Sequence, residues 1–143
     1  MSNYQIANVG EMGKLSQHIF KIEGTPLSIP GKIFLSNLVK LNSMEVSLNT
    51  ALAGTGMDFF HKHKDHEEVY IFISGQGEMS IDDEIFQIKE GSIVSVKPEA
   101  KRSWWNTGDT ELRYIVIQAP QDGIKASGIE DGEIVEGKVP WHQ

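Results

Sequence analysis

Residues 61–75 read His61-Lys62-His63-Lys64-Asp65-His66-Glu67-Glu68-Val69-Tyr70-Ile71-Phe72-Ile73-Ser74-Gly75, and the rest of the chain is understood from this stretch outward. Histidines and glutamates crowd its first half. Its second half is a run of β-branched and aromatic residues closed by Ser-Gly, the composition of a strand and its exit turn. On a strand, residues two apart project to the same side, so His61 and His63 share one face, and Tyr70 and Phe72 share the face of Glu68. Two imidazoles on one face, with a carboxylate from the next strand, can occupy three adjacent coordination positions. That facial arrangement suits Fe(II) and also admits Mn, Ni, Cu or Zn.

Around this stretch the chain reads as short strands broken by turns. Candidate strands cover 44–52, 58–63, 67–74, 77–82, 84–88, 92–97, 101–106 and 111–119. Alternation is clean where Val46 and Leu48 interleave with Glu45, Ser47 and Asn49, although either face could be the inner one. Gly54-Thr55-Gly56, Ser74-Gly75-Gln76-Gly77, Asp82-Asp83, Glu90-Gly91 and Asn106-Thr107-Gly108-Asp109 supply the turns. Many short, evenly spaced strands predict a sandwich or barrel. Upstream, Ile33, Phe34, Leu38, Val39 and Leu41 fall near helical spacing, which predicts one short helix over 32–41. It would lie in an N-terminal arm, 1–43, that also carries a strand near 17–23. The tail, 120–143, is rich in Gly and acidic residues but holds Trp141. Tryptophan is usually buried, so the tail is expected to fold back on the barrel or on a partner subunit.

The 143 residues fit a single domain, 1–143, with a barrel core at about 44–119. Lys and Arg number 13 against 20 acidic residues, a formal charge of −7. An acidic chain is poorly suited to a phosphate backbone, so nucleic acid is not expected as a partner. There is no cysteine, which excludes disulfides and thiolate metal sites. The first residues lack a basic patch followed by an apolar run, and no apolar stretch approaches the ~20 residues of a spanning helix. A cytoplasmic protein with no membrane partner is the expectation.

The spacing His61-x-His63, four residues, Glu68, six residues, Gly75 resembles the first motif of the cupin superfamily. Thr55 stands where that motif opens with glycine, flanked by Gly54 and Gly56. A second motif would run from Gly91 to Asn106, fifteen residues (76–90) after the first, the short spacing of small bacterial cupins. Inside, it departs from the family pattern. Proline is displaced to Pro98, Glu99 replaces a glycine, and Arg102 holds the position of a metal-ligand histidine. The resemblance covers about 44–119. It implies an all-β double-stranded β-helix (jelly-roll) barrel that pairs as a homodimer. It assigns metal ligation to His61, His63 and Glu68, the fourth ligand being missing.

Arg102 cannot fill that gap, because guanidinium has no lone pair to give and stays charged. Pointing inward at ~4 Å from a dication, it would be repelled by about 8 kcal/mol at an effective dielectric of ~20. Either Arg102 turns away or the metal is absent, and the cofactor is accordingly one divalent transition metal (Fe, Mn, Ni or Zn) or none. Without metal, Glu68 pairs with Arg102. Arg102 is also the candidate anchor for a small anionic substrate, with Tyr70, Trp104, Phe59 and Phe72 as cavity walls or, more plainly, as core. Trp105, of opposite parity to Trp104, faces outward toward a subunit interface, and His66 reads as a solvated loop residue or, less commonly, as an auxiliary ligand or proton carrier. Two functions stay open. One is a metal-dependent oxygenase or isomerase acting on a small molecule. The other is a metal-free, non-catalytic module binding a small carboxylated ligand, with Arg102 in place of the histidine.

Overall fold

Residues 2–141 are described by the computed structural model. Ten strands occur among them: β1 (Ile19–Lys21), β2 (Ser28–Pro30), β3 (Lys32–Phe34), β4 (Glu45–Ala51), β5 (His66–Ser74), β6 (Gln76–Ile81), β7 (Glu84–Lys89), β8 (Ile93–Val96), β9 (Arg102–Trp105) and β10 (Leu112–Pro120). The Val69–Ile73 run becomes the middle of β5 because it can hydrogen-bond on both sides. It pairs antiparallel with β10, Tyr70 opposite Val116, and with β8, Tyr70 opposite Val94. β4 pairs with the other edge of β10 and β3 with β4, giving a five-stranded sheet in the order β3-β4-β10-β5-β8. A second sheet, β7-β6-β9, carries Met79, Ile88 and Trp104 in a single buried cluster with Tyr70, Phe72, Leu112 and Tyr114 from the first. Side chains of this size contribute roughly 1.5–3 kcal/mol each on full burial, so this shared interior is what holds the two sheets together. β1 and β2 form a separate two-stranded ribbon.

Gly75 joins the two sheets between β5 and β6. It adopts φ 88°, a left-handed conformation, and a Cβ there would run into the Glu111 carbonyl and Leu112. Only glycine meets both requirements, which is why the strand run must end there.

The all-β barrel expected from the strand pattern is the observed fold, with four local differences. The helix expected over 32–41 is replaced by β3 and a 3₁₀ turn, Leu35–Asn37. Short apolar runs satisfy either periodicity, and the open edge of β4 decides the matter by pairing Lys32, Ile33 and Phe34 with Asn49, Leu48 and Ser47. The strand expected over 58–63 is a loop that pairs with β9 through isolated bridges, Gly56 with Trp105 and His61 with Arg102, and forms no continuous ladder. The strand near 17–23 shrinks to β1, behind a 3₁₀ turn at Met12–Gln17. Among the described residues the tail from 121 onward is largely exposed, and Trp141, expected to be buried, is 77% exposed. No helix among the described residues is long and apolar enough to cross a membrane.

Candidate metal centre and cavity

Backbone hydrogen bonds, rather than strand regularity, place the two imidazoles. His61 exchanges both main-chain bonds with Arg102, N–H to O at 3.1 Å and the reverse at 3.0 Å, and His63 donates its N–H to the Pro98 carbonyl at 3.0 Å. Both rings therefore project inward, with centroids 5.3 Å apart and nearly perpendicular. β5 delivers Glu68 between them, with His61 Nε2 3.7 Å from Glu68 Oε1 and His63 Nε2 3.2 Å from Glu68 Oε2. The three ligand atoms lie within 4.8 Å of one another. Tyr70 donates its hydroxyl to Glu68 Oε1 at 2.8 Å and helps to fix the carboxylate.

The charge states follow from these contacts. Burial opposes ionisation of Glu68, but the facing His61 ring, the Tyr70 hydroxyl and the charges of His63 and Arg102 outweigh it, so its carboxyl titrates below the ordinary value. Burial lowers His63, Glu68 resists this, and His61, Arg102 and His66 reinforce it, which favours the neutral ring. Burial and the adjacent Glu68 charge push the Tyr70 phenol up, so it stays a donor. His63 Nε2 is buried and has no hydrogen-bond partner among the described residues. A neutral nitrogen and a carboxylate oxygen thus face each other at 3.2 Å, an arrangement that a shared proton or a cation between them would satisfy. The donor set fits a divalent transition metal. His61 Nδ1 is also without a partner, so this ring lacks the outer hydrogen bond that commonly orients a ligand histidine.

Arg102 points inward and is fully enclosed. Its Nη2 donates to the Lys97 carbonyl at 2.7 Å and its Nη1 lies 3.7 Å from Glu68 Oε1. Its charge is set against that of Glu68, and it does not border the adjacent cavity. That cavity, about 220 Å³, is bordered by His61, His63, Glu68, Tyr70, Trp104 and Lys32, with Phe59 also on its wall. Phe59 is 43% exposed. Phe72 does not border the cavity and packs in the core against Tyr70 and Tyr114. Trp104 is buried and donates to the Tyr114 hydroxyl at 2.7 Å, while Trp105 faces outward at 38% exposure. His66 differs from expectation. It opens β5, stacks on His63 with centroids 6.2 Å apart, and shares a hydrogen bond of 2.9 Å between its Nδ1 and Gln118 Oε1. Gln118 sits on the neighbouring strand, opposite Glu68, which holds the half-buried ring against the barrel.

Lys32 is the group that the sequence did not expose. Its ammonium donates to Asn49 Oδ1 at 2.8 Å and to Ser47 Oγ at 3.4 Å, both buried on the inner face of β4. One lysine among many carries no signal in a sequence. Pairing 32–34 with 47–49 as strands, and turning Ser47 and Asn49 inward, would have placed it.

The chain matches a family model described as the cupin domain over residues 50–118. A crystal structure of a cupin protein from Bacteroides fragilis is 26% identical, covers 95% of this chain and 100% of that one, and superposes with a TM-score of 0.76. A double-stranded β-helix protein from Klebsiella pneumoniae, 18% identical, covers 82% and 93% with a TM-score of 0.60 and supports the fold. An uncharacterized protein of Methanocaldococcus jannaschii is 29% identical over 110 residues, 76% of this chain and 82% of its own length.

Proposed function

The chain belongs to the cupin superfamily, and on that premise we propose that its barrel holds one divalent transition metal on His61, His63 and Glu68 and seats a small anionic molecule beside it. The single observation that carries this reading is the buried, unpartnered Nε2 of His63, 3.2 Å from Glu68 Oε2, within a set of ligand atoms spanning 4.8 Å. A bound dication would supply Lewis acidity to a ligand oxygen. The protein's own part is positional. Tyr70 holds the Glu68 carboxylate, the backbone of Arg102 holds His61, and Trp104 and Phe59 limit water on the apolar walls. At about 220 Å³ the cavity is smaller than the ~300–1,000 Å³ of drug-sized pockets, which suits a small metabolite. An oxygenase or isomerase reaction is the chemistry this arrangement would serve.

The 3.7 Å approach of Arg102 to Glu68 favours a second reading, a metal-free cavity in which the guanidinium supplies the positive charge. Glu68 offsets only part of the repulsion of Arg102 toward a dication, so with three ligands and the remaining repulsion the metal is held more weakly than by four ligands. Elemental analysis of protein purified without chelator separates the two. One equivalent of Fe, Mn, Ni or Zn, lost in His61→Ala, supports the metal centre. A metal-free native chain that gains metal in Arg102→His supports the alternative.

A further inference from the structure

The cavity contains a cation that the metal centre does not use. Lys32 comes from β3 and borders the same cavity as His61, His63 and Glu68. Its partner Asn49 is locked in orientation, because its amide nitrogen donates to the Ser47 carbonyl at 3.0 Å, to Ser47 Oγ at 2.9 Å and to the Tyr114 carbonyl at 3.4 Å. That leaves Asn49 Oδ1 to face the ammonium. Lys32 Nζ also lies 4.9 Å from the centroid of the Phe34 ring. An ammonium has three N–H donors, and the described residues give acceptors to two, the second at a long 3.4 Å.

Burial pulls Lys32 down to about 8, with Glu68 and Glu45 opposing part of the fall. The side chain is therefore still mainly cationic at neutral pH. With the imidazoles set aside, Lys32 and Glu68 are the charged side chains that border the cavity, and Arg102 stands behind it against Glu68, which leaves one positive charge in excess. Arg102 is enclosed and does not border the cavity, so the positive charge that faces it belongs to Lys32.

We propose that Lys32, aligned by Asn49 and Ser47, anchors the carboxylate of a small organic acid whose other end reaches His61, His63 and Glu68. This rests on the reading of the cavity as a small-anion site and is independent of whether a metal is present. The net excess of one positive charge suits a monoanion. A phosphate dianion would call for more donors than one lysine offers. Between the two ends, Tyr70 and Trp104 line the cavity and offer aromatic surface to a short carbon chain.

The test is calorimetric titration of wild type, Lys32→Met and Lys32→Arg with acetate, propionate, pyruvate and inorganic phosphate, with melting curves and metal content recorded for each. The expected result is binding of at least one carboxylate by wild type. It should weaken roughly 10–100-fold in Lys32→Met, as loss of a charge-assisted hydrogen bond implies, and recover in part in Lys32→Arg, with metal content unchanged. Should Lys32→Met fail to fold, Lys32→Gln takes its place. Equal carboxylate affinity in wild type and Lys32→Met overturns the anchor while the small-anion reading stands. Preference for phosphate, lost in Lys32→Met, overturns the carboxylate class. No binding of any probe by wild type overturns the anchor and the small-anion reading together, and the metal content then bears on the centre alone.

Discussion

Arg102 Nη1 stands 3.7 Å from Glu68 Oε1, with the guanidinium wholly enclosed and its Nη2 bonded to the Lys97 carbonyl. A cation thus occupies the wall where the family pattern places a metal-ligand histidine, and it shares its counter-ion with the cluster formed by His61 and His63. Stability and metal affinity are therefore in competition at Glu68.

Replacing Glu68 with Gln should leave Arg102 as a buried charge without a counter-ion. Removing one partner of a buried pair commonly costs about 3–5 kcal/mol. Urea denaturation of Glu68→Gln in chelator is expected to show a loss of that order, and a loss below ~1 kcal/mol would mean that the pair contributes little.

Arg102→His should remove the repulsive charge and add a lone pair facing the cluster. Affinity for Mn²⁺ or Zn²⁺, measured by competition with a chromophoric chelator, is expected to rise by at least about tenfold, equivalent to ~1.4 kcal/mol. Unchanged affinity would show that Arg102 does not oppose the metal.

Lys32 should give stability a distinctive slope at alkaline pH. Its folded value of about 8 lies below the ordinary 10.5, because burial disfavours the charged form despite Glu68 and Glu45. Between those two values the unfolded chain binds a proton that the folded chain has released, so stability rises with pH across that window and the penalty is greatest below about 8. The full effect is of order 3 kcal/mol. Denaturation of wild type and Lys32→Met in chelator at pH 7.5 and pH 10 is expected to show wild type gaining stability relative to the variant. A parallel response of the two proteins would remove the effect.

Gly75→Ala should destabilise the protein more than an exposed glycine substitution does. The position requires φ 88° and leaves no room for a Cβ beside the Glu111 carbonyl. A left-handed non-glycine residue costs of order 1–3 kcal/mol before any clash is counted. Gly91→Ala is the control, since it also has positive φ (86°) but meets nothing within 4 Å. Thermal melts are expected to rank wild type first, then Gly91→Ala, then Gly75→Ala.

Much of the barrel was legible from local pattern. β5 and β10 are long, rich in β-branched and aromatic residues, and bounded by turn residues, so their periodicity admitted one interpretation. His61, His63 and Glu68 were legible because metal-ligand chemistry requires rare residue types at fixed spacing. Segment 32–41 was not legible, because a run this short fits a helix or a strand equally well and the edge of β4 made the choice. Segment 58–63 kept its inward histidines although the ladder is broken, since three backbone bonds to Arg102 and Pro98 do the positioning.

By itself, then, the sequence determined the class of fold and the identity of the clustered ligands, since both are written in periodicity and short-range spacing. The tertiary structure alone decided which way Arg102 points, that His66 is held against β10, and that Lys32 enters the cavity. Each of these depends on a partner distant along the chain (Glu68, Gln118 and Asn49). A charge's role is set by what surrounds it in space, and residue order does not encode that directly.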